Sequence, residues 1–349
     1  MLNRSQFFSL PSFRAITENK MANSTNGKAY LDGIKVFYKI CNVFDGYHEI
    51  KGYALLHQRV PLPSLLLFRY DPINDIVLIV YELDESVSAN KGLLVDAFAD
   101  KNAWQIINDK VLVHLQRLFQ QSFRATPEDP LFSNRLDRLF TWYVKDNTAK
   151  FHIDYNGMMH SWQEIVDNTY AEISRFYSVS NRVTRCTISH GDLSELNISL
   201  HPYFFDFAFS GINSIYSEFA ICFSSIAFEN YFDMIYHHSS YKNHYQSISR
   251  SFTHIEVDYQ RMNTTFSIKD FTVKLCENRK NLLDQICVCC AGCFDDYPIL
   301  RAMMIFRLIS VRDIRLYREE DFVRAVCICI AISKTRNLNE LQNIICGLV

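Results

Sequence analysis

The N-terminal part of the chain combines short apolar runs with turn-forming residues, a pattern that is typical of a small β-sheet. Ala29 to Leu31 and Ile34 to Ile40 flank the turn Asp32-Gly33, and this arrangement predicts a β-hairpin. Two further apolar runs, Leu65 to Phe68 and Ile76 to Tyr81, are separated by a polar turn and predict two more strands. The sequence therefore predicts a small antiparallel sheet near the N-terminus.

One helix is predicted between these two pairs of strands. Residues 49–58 have helical spacing, with Tyr53 and Leu56 three residues apart on one side. Pro61 and Pro63 follow, and proline cannot continue a helix. The predicted order is sheet, helix and sheet, with Glu49 at the start of the helix.

From about residue 89 onward the pattern becomes mainly helical. The polar stretch Glu82 to Ser88 follows the last N-terminal strand, and we place a domain boundary there, between residues 1–84 and 85–349. Two short strands are predicted at 198–200 and 203–205, and everything after about Glu218 is predicted to be helical. Helical periodicity is clearest in three segments: Leu93 to Phe98, Ala103 to Gln121 and Trp162 to Phe176.

Composition and charge argue against two classes of binding partner, nucleic acids and membranes. The chain has 349 residues, 48% of them hydrophobic, and a net charge of -2, which argues against nucleic acid as the main partner. No apolar run approaches the roughly 18 residues that a membrane-spanning helix needs. The first twenty residues carry Arg4, Arg14, Glu18 and Lys20 where a secretory signal would be apolar. We therefore expect a cytoplasmic protein that binds neither nucleic acid nor membrane; its oligomeric state stays open.

The cysteines suggest a buried helix more than a metal centre. Cys287, Cys289, Cys290 and Cys293 lie close together in the sequence and invite comparison with a zinc site. Their spacing is not a pair of CxxC motifs, and the surrounding run is apolar and helical. We interpret the cluster as part of a core helix and keep metal binding as the alternative.

The most informative segment is residues 189–198, Ser-His-Gly-Asp-Leu-Ser-Glu-Leu-Asn-Ile. It places Asp192 and Asn197 five residues apart, and Asp206 follows within Phe204-Phe205-Asp206-Phe207. A carboxylate beside a hydroxyl nucleophile, followed by an amide and a carboxylate for magnesium, is what ATP-dependent phosphoryl transfer requires. The segment therefore predicts a catalytic loop.

This motif resembles that of the aminoglycoside phosphotransferase and choline kinase-like group, which shares its fold with protein kinases. The resemblance implies that Asp192 accepts or orients the proton of the substrate hydroxyl. It also implies that Asn197 and Asp206 hold Mg²⁺ on the phosphates of ATP, and hard oxygen ligands suit that ion. His190 is expected to brace the loop by hydrogen bonds.

Residues upstream follow the same order as in that group. Lys39, in the apolar-flanked stretch 36–40, has the position of the lysine on the third strand of a kinase and is expected to pair with the α- and β-phosphates. Glu49, ten residues on, is expected to hold Lys39 by an ion pair. The stretch Val60-Pro61-Leu62-Pro63 falls where the group has its Val-Pro-x-Pro motif. The resemblance implies an α+β, bilobal protein-kinase-like fold with a larger, mainly helical C-terminal lobe.

Two further parts of a nucleotide site are expected in the N-terminal lobe. Residues 23–28 are predicted to form a polar phosphate-contacting loop in which Ser24 and Thr25 supply hydroxyls and Gly27 a tight turn. Backbone groups around Glu82 and Leu83 are expected to hydrogen-bond the purine base. Because those contacts are made by the main chain, GTP could replace ATP.

Asp206-Phe207-Ala208 resembles the DFG motif of protein kinases but lacks its glycine, and no Ala-Pro-Glu follows. This departure favours a small-molecule substrate over a protein. Glu218 is interpreted as a charge in the first turn of a helix, although the group also carries an acidic residue there. His237-His238 is interpreted as part of a solvated loop, with a place near the acceptor as the alternative.

The nature of the phosphate acceptor stays open at this point. Acidic stretches at 295–296 and 319–321 would suit a polycationic antibiotic, but each is also typical of a helix N-terminus or a solvated face. Arginines among apolar residues would instead suit an anionic acceptor; these are Arg301, Arg307, Arg312 and Arg315.

The sequence thus predicts an ATP-dependent phosphotransferase that acts on a hydroxyl of a small molecule, such as an antibiotic, a sugar, an amino alcohol or a natural-product intermediate. A nucleotide-binding pseudokinase or regulatory module, and a peptide or protein kinase, are the alternatives.

Overall fold

A computed structural model describes residues 12–20, 24–87, 92–145, 151–179, 182–229, 231–232 and 253–345. The predicted loop residue Asn23 and the pair His237-His238 lie outside these residues.

The N-terminal region is an antiparallel sheet. Its strands have the order β1-β3-β4-β6-β5, and the short β2 pairs with β3. The predicted hairpin is confirmed, since Leu31 and Ile34 are paired on either side of the turn at Asp32-Gly33. The strands are β1 Phe13–Ala15, β2 Asn19–Lys20, β3 Ser24–Leu31, β4 Ile34–Asn42, β5 Leu65–Asp71 and β6 Ile76–Glu82.

The one helix of this region, α1, spans Val43–Leu56 and therefore starts earlier than predicted. Its N-cap is Asn42, whose side-chain oxygen accepts from the backbone N–H of Asp45 at 2.8 Å, a strong start signal directly at the end of β4. The prediction that Glu49 opens the helix is wrong. Glu49 lies in the middle of α1 and is buried, where it faces the sheet.

The rest of the described chain is mainly helical, as predicted. Two π-helical segments, Ile107–Leu112 and Phe140–Val144, join short α-helical pieces, and a third, Ser225–Glu229, directly follows α8. The helices are α2 Leu94–Ala97, α3 Trp104–Ile106, α4 Val113–Gln120, α5 Pro130–Ser133, α6 Leu136–Leu139, α7 Trp162–Ser178, α8 Ile215–Ser224, α9 Glu277–Cys290, α10 Tyr297–Ser310, α11 Glu319–Lys334 and α12 Leu338–Ile345, with a 3₁₀ turn at Ile314–Leu316.

Two small sheets lie among these helices. The strand order is β11-β10-β7 in the first sheet and β12-β13-β8-β9 in the second. The predicted strands at 198–200 and 203–205 are reduced to isolated bridges, Leu93 with Ser199 and Ile198 with Phe204. The strands are β7 Phe123–Ala125, β8 His152–Tyr155, β9 Met158–Ser161, β10 Thr184–Ser189, β11 Gly211–Ser214, β12 Thr253–Met262 and β13 Thr265–Leu275.

The prediction that everything after Glu218 is helical is wrong for β12 and β13, which pair along their whole lengths. Residues 253–256 alternate strictly between buried and exposed, which is the period of a strand and not of a helix.

One face of the sheet packs against the helical region. Val36, Tyr38 and Ile40 of β4 pack on the far face with Ala29 and Phe13. On the opposite face lie Cys41 of β4 and Val77 and Ile79 of β6. They belong to the large core that continues into the helices. The predicted α+β architecture, with a small antiparallel N-terminal sheet, one key helix and a larger helical region, is confirmed.

The interpretation of the cysteine cluster as part of a buried helix is confirmed for α9. Cys287 and Cys290 are buried on that helix, and burial raises the pKa of the Cys287 thiol to about 12. In the described ranges no helix is both long and apolar enough to cross a membrane.

Candidate active site

The loop that follows β10 is held in shape by its own backbone. Gly191 has φ +76, and a Cβ at this position would lie 1.9 Å from the carbonyl oxygen of Phe209, so only glycine fits. His190 is fully buried; its Nε2 lies 2.6 Å from the carbonyl oxygen of Phe205, and its Nδ1 accepts from the N–H of Asp192 at 3.3 Å. The expected bracing role of His190 is confirmed.

Asp192 and Asn197 belong to one compact turn. The Asn197 side-chain NH₂ donates to the carbonyl oxygen of Asp192 at 3.0 Å, and the Ser194 N–H donates to the same oxygen at 2.7 Å. The amide nitrogen of Asn197 is therefore fixed inside the loop, which leaves its amide oxygen as the group that can face a ligand.

Glu218 stabilises the loop by accepting a hydrogen bond from its backbone. It lies in the first turn of α8, as predicted, but it is fully buried, and its carboxylate accepts from the N–H of Gly191 at 2.7 Å. Burial raises the pKa of Glu218 to about 8, because the charged form loses its hydration. The interpretation as a dipole partner alone missed this contact, although the acidic residue at the same place in the resembling group pointed to it.

Arg307 of α10 fixes the side chain of Asp192. Its Nη2 donates to Oδ1 of Asp192 at 2.9 Å, and its Nε and Nη2 each donate to the carboxylate of Glu229 at 2.7 Å. Side-chain exposure is 4% for Arg307 and 17% for Asp192. Asp192 is therefore held through Oδ1 while its side chain remains partly exposed.

A second group of charges lies on the face of the sheet that also carries Cys41. The Lys39 Nζ donates to Oε2 of Glu49 at 2.8 Å and to Oδ1 of Asp206 at 2.9 Å. The other oxygen of Glu49 accepts from the hydroxyl of Tyr81 at 3.2 Å. Burial alone would lower the pKa of Lys39, but the carboxylates of Asp206 and Glu49 outweigh it and raise that pKa. Lys39 is therefore a permanent cation.

Asp206 combines an unusual backbone with an accessible side chain. Its φ of 64° lies in the left-handed region, which is costly for a residue other than glycine and is often found at functional sites. The neighbouring Lys39 lowers the pKa of Asp206, and 46% of the Asp206 side chain is exposed. A charged carboxylate is thus held at an accessible position.

Asn197 and Asp206 are brought together by a short reversal of the chain. The bridge between Ile198 and Phe204, and the bond from the Phe205 N–H to the Asn197 carbonyl at 2.9 Å, join the two ends of that reversal. One amide oxygen and one carboxylate fit Mg²⁺, which usually binds proteins through one or two side chains and completes its shell with water and phosphate. Within the described residues no three His, Cys, Asp or Glu side chains form a metal-binding group.

Helix α1 packs directly on the segment that carries Asp206. A Cβ added to Gly52 would lie 2.0 Å from the carbonyl oxygen of Phe207. The Phe207 ring also contacts Tyr53 at 5.6 Å and Tyr81 at 5.9 Å between centroids. This contact fixes Glu49 and Asp206 on either side of Lys39.

The predicted phosphate loop is wrong in its secondary structure. Ser24, Thr25 and Gly27 belong to β3, and a Cβ on Gly27 would lie 2.0 Å from the carbonyl oxygen of Thr17. Gly27 thus allows close approach of two strands and forms no turn. Ser24 and Thr25 lie at the start of β3, where Thr25 pairs with Lys20 of β2.

The predicted base-binding segment lies at the end of β6. The Glu82 N–H donates to the carbonyl oxygen of Ser64 at 2.8 Å, so it is already used inside the sheet. Leu83 follows the last paired residue and borders a shallow cavity of ≈ 350 Å³ on the face of the sheet that carries Lys39. The other residues around this cavity are Ile16, Lys28, Lys35 and Glu85.

The two acidic stretches are helix starts. Asp296 is the N-cap of α10, and residues 319–321 form the first turn of α11. Both are paired with arginines: Asp296 with Arg182 at 3.5 Å, for example, and Asp321 with Arg324 at 2.8 Å.

The arginines named in the sequence differ in position. Arg307 reaches Asp192, whereas Arg301 bonds the carbonyl oxygens of Ser333 and Thr335, and Arg315 pairs with Asp313.

One further contact to the loop was not predicted. Arg279 of α9 donates to Oε1 of Glu195 at 2.5 Å, and both side chains are fully buried. Arg279 also donates to the carbonyl oxygen of Ile226 at 2.7 Å and to Thr253 Oγ1 at 2.8 Å. The sequence did contain a signal for this contact. Glu195 is a charged residue inside the motif for which phosphoryl transfer suggested no role.

Comparison with known proteins finds similarity only among solved structures. No family model matches the chain, and no curated protein does. The chain is similar to a thermostable mutant of aminoglycoside phosphotransferase APH(4)-Ia, with 12% identity over 93% of this chain and 96% of that one, and a TM-score of 0.48.

Two other similar structures have different substrates in their names. Spectinomycin phosphotransferase APH(9)-Ia shows 10% identity over 95% and 93% of the two chains, with a TM-score of 0.45. A putative fructosamine-3-kinase from Haemophilus somnus 129PT shows 13% identity over 68% and 77%, with a TM-score of 0.35. Similarity at this level of identity and TM-score says nothing about the activity or the substrate of this chain.

Proposed function

We propose that this protein transfers the γ-phosphoryl group of ATP to a hydroxyl group of a small molecule. The observation that carries the proposal is the position of Lys39, whose Nζ joins the buried Glu49 to the accessible Asp206. A fixed cation between a buried and an exposed carboxylate suits a site that binds both phosphate and a metal ion.

In this proposal Lys39 binds the phosphates of ATP, and Glu49 and Tyr81 hold the lysine in place. Leu83 contacts the purine through its backbone, with ATP or GTP as donor, and Ser24 and Thr25 lie near the phosphates at the start of β3. The cavity beside Leu83 supports this arrangement, because it lies on the same face of the sheet as Lys39.

Asp192 acts on the acceptor. Its Oδ2 takes the proton of the hydroxyl as the hydroxyl oxygen bonds to the γ-phosphorus, and the bond from that phosphorus to the β–γ bridging oxygen breaks to release ADP. Arg307 holds Oδ1, and the Asn197 side chain bonds the Asp192 backbone, so the carboxylate is oriented before the acceptor arrives.

Asn197 and Asp206 would hold Mg²⁺, through the amide oxygen of one and the carboxylate of the other. When bound, the ion supplies positive charge that neutralises the phosphate oxygens. Lys39 orients the Asp206 carboxylate by its hydrogen bond at 2.9 Å.

The test compares Asp192→Asn with the wild type. Phosphate transfer from ATP is followed by ³¹P NMR across sugars, amino alcohols, nucleosides and aminoglycosides, and binding of the unreactive analogue AMP-PNP is followed by calorimetry. We expect Asp192→Asn to bind AMP-PNP normally but to lose about 100- to 10,000-fold in kcat, since a general base contributes that much. Asp270→Asn changes an exposed aspartate on β13 and serves as the control.

Equal transfer by Asp192→Asn and the wild type would remove Asp192 from its role. A wild type that binds AMP-PNP tightly but phosphorylates no acceptor would instead support a nucleotide-binding pseudokinase. Phosphorylated protein bands in a lysate supplied with labelled ATP, with no labelled metabolite, would support a protein or peptide kinase.

A further inference from the structure

We propose that the phosphate acceptor carries an anionic group, a carboxylate or a phosphate, and that Arg135 binds this group beside Asp192. The inference rests on the proposed phosphotransfer and names the chemical class of its acceptor.

Arg135 lies next to Arg307 in the fold although it is far from it in the chain. It precedes α6 directly, and its N–H donates to the carbonyl oxygen of Phe132 at 3.1 Å. The Phe132 ring contacts that of Phe306 with 5.3 Å between centroids. Phe306 is the neighbour of Arg307 on α10, so the chain segments that carry the two arginines pack against each other.

The guanidinium of Arg135 interacts electrostatically with Arg307, Asp192 and Glu229. Burial and the positive charge of Arg307 lower the pKa of Arg135 to about 10, so it remains a cation at neutral pH. Two like charges that share a half-buried site repel each other unless an anion lies between or beside them.

Arg307 forms ion pairs with Glu229 and Asp192, but Arg135 makes no direct ion pair within the described residues. Its Nη1 is buried and has no hydrogen-bond partner there. A buried N–H of a charged group without an acceptor is unfavourable, and a carboxylate or phosphate is the acceptor that fits a guanidinium best.

A cationic acceptor is less compatible with these charges. The acidic stretches that would attract it are paired with arginines, as Asp296 is with Arg182 and Asp321 with Arg324. Next to Asp192 an approaching ammonium group would meet both Arg135 and Arg307. A hydroxyl compound with a negative group would place that group on Arg135 and its hydroxyl on Oδ2 of Asp192.

The experiment measures binding of a matched series of small hydroxyl compounds by calorimetry. The probes are D-glycerate and glycerol 3-phosphate as anions, glycerol as the neutral compound and 3-amino-1,2-propanediol as the cation. Each is titrated into the wild type, Arg135→Gln, Arg135→Lys and Arg138→Gln, with and without magnesium and AMP-PNP. Arg138 is the control because it lies three residues on, is exposed and is stacked over Trp142 at 5.9 Å.

We expect the wild type to bind the two anions more tightly than glycerol and the cation. Arg135→Gln should weaken anion binding by roughly tenfold to a hundredfold, the effect of one charge-assisted contact, and Arg135→Lys should restore part of it. Arg138→Gln and the affinity for AMP-PNP should stay unchanged. Comparison of the phosphate with the carboxylate shows which of the two anions the site prefers.

Equal binding or equal absence of binding across the series would overturn the inference, and so would identical effects of Arg135→Gln and Arg138→Gln. Weaker AMP-PNP binding by Arg135→Gln, with unchanged anion binding, would also overturn it, because Arg135 would then serve the nucleotide. If the wild type fails to bind AMP-PNP at all but anion binding still depends on Arg135, the proposed phosphotransfer fails and the anion site remains.

Discussion

Arg307 and Asp192 are 115 positions apart in the chain, yet Nη2 of Arg307 donates to Oδ1 of Asp192 at 2.9 Å. The same guanidinium also donates two hydrogen bonds to the carboxylate of Glu229, at the end of the π-helical segment after α8. The orientation of the proposed base therefore depends on three separate parts of the helical region.

Arg307→Met tests this dependence. The variant leaves Glu229 buried without its cation, so we expect about 3 kcal/mol less free energy of unfolding, measured in urea. Misorientation of Asp192 should also lower kcat, by up to about 100-fold. The double variant Arg307→Met with Glu229→Leu should recover most of the stability but none of the kcat. Recovery of both would mean that Arg307 acts on stability alone.

Glu49→Gln tests the support of Lys39. The amide still accepts a hydrogen bond but removes the charge, so Lys39 is drawn toward Asp206 alone. We expect a loss of about 10- to 100-fold in kcat/KM for ATP, which corresponds to the roughly 1.5–3 kcal/mol of a hydrogen bond between charged groups. Tyr81→Phe removes only the hydroxyl that donates to Glu49 and leaves the charges of Lys39 and Glu49 in place, so it should cost less. A larger loss for Tyr81→Phe would contradict this order of importance.

Glu218 predicts a pH dependence of stability. Its pKa rises from an ordinary 4.5 to about 8 on folding, so the folded protein holds a proton that the unfolded chain releases between these values. Stability from this group is complete below about pH 4.5 and is lost as pH rises toward 8, by about 1.4 kcal/mol for each unit between them. Glu218→Gln stays neutral throughout and should gain on the wild type as pH rises.

The measurement is the free energy of unfolding in urea at pH 5, 6.5 and 8 for the wild type and Glu218→Gln. Glu256→Gln, which changes an exposed residue of β12, is the control for general charge effects. A constant difference between wild type and Glu218→Gln over this range would show that Glu218 is charged in the folded protein.

Gly52→Ala tests the contact between α1 and the Asp206 segment. Alanine in the middle of a helix normally adds about 1 kcal/mol of stability relative to glycine. Here its Cβ would lie 2.0 Å from the Phe207 carbonyl oxygen, so α1 must move away. We expect a net loss of stability and weaker AMP-PNP binding, both measured by thermal unfolding. The reverse change Ala54→Gly, at an exposed site of α1, measures helix propensity alone.

Three residues that were predicted from their order along the chain are brought together in the structure. Lys39, Glu49 and Asp206 occur in a set order, and phosphate and magnesium chemistry restricts each to one or two residue types. The structure joins these three by direct bonds. Their roles with ATP and Mg²⁺ stay predictions until activity is measured.

Contacts between distant segments could not be predicted in this way. Nothing in the neighbourhood of Arg307 distinguishes it from Arg301, and only the packing of α10 shows which of them reaches Asp192. The hairpin of β12 and β13 is different, because residues 255–260 alternate between apolar and polar in the sequence, which indicates a strand. The prediction of a loop at residues 23–28 failed because the polar residues at the start of β3 resemble those of a turn.

The bonds from Arg279 to Glu195 and from Arg307 to Asp192 also set an order of events during synthesis. The loop of residues 190–197 leaves the ribosome well before either arginine, since both follow it by more than 80 positions. A nascent chain that ends before α9 therefore has the proposed base without the two cations that hold its loop. The proposed site is therefore completed late, when the helices of the second half have been added, and a truncated product would carry the motif without these two supports.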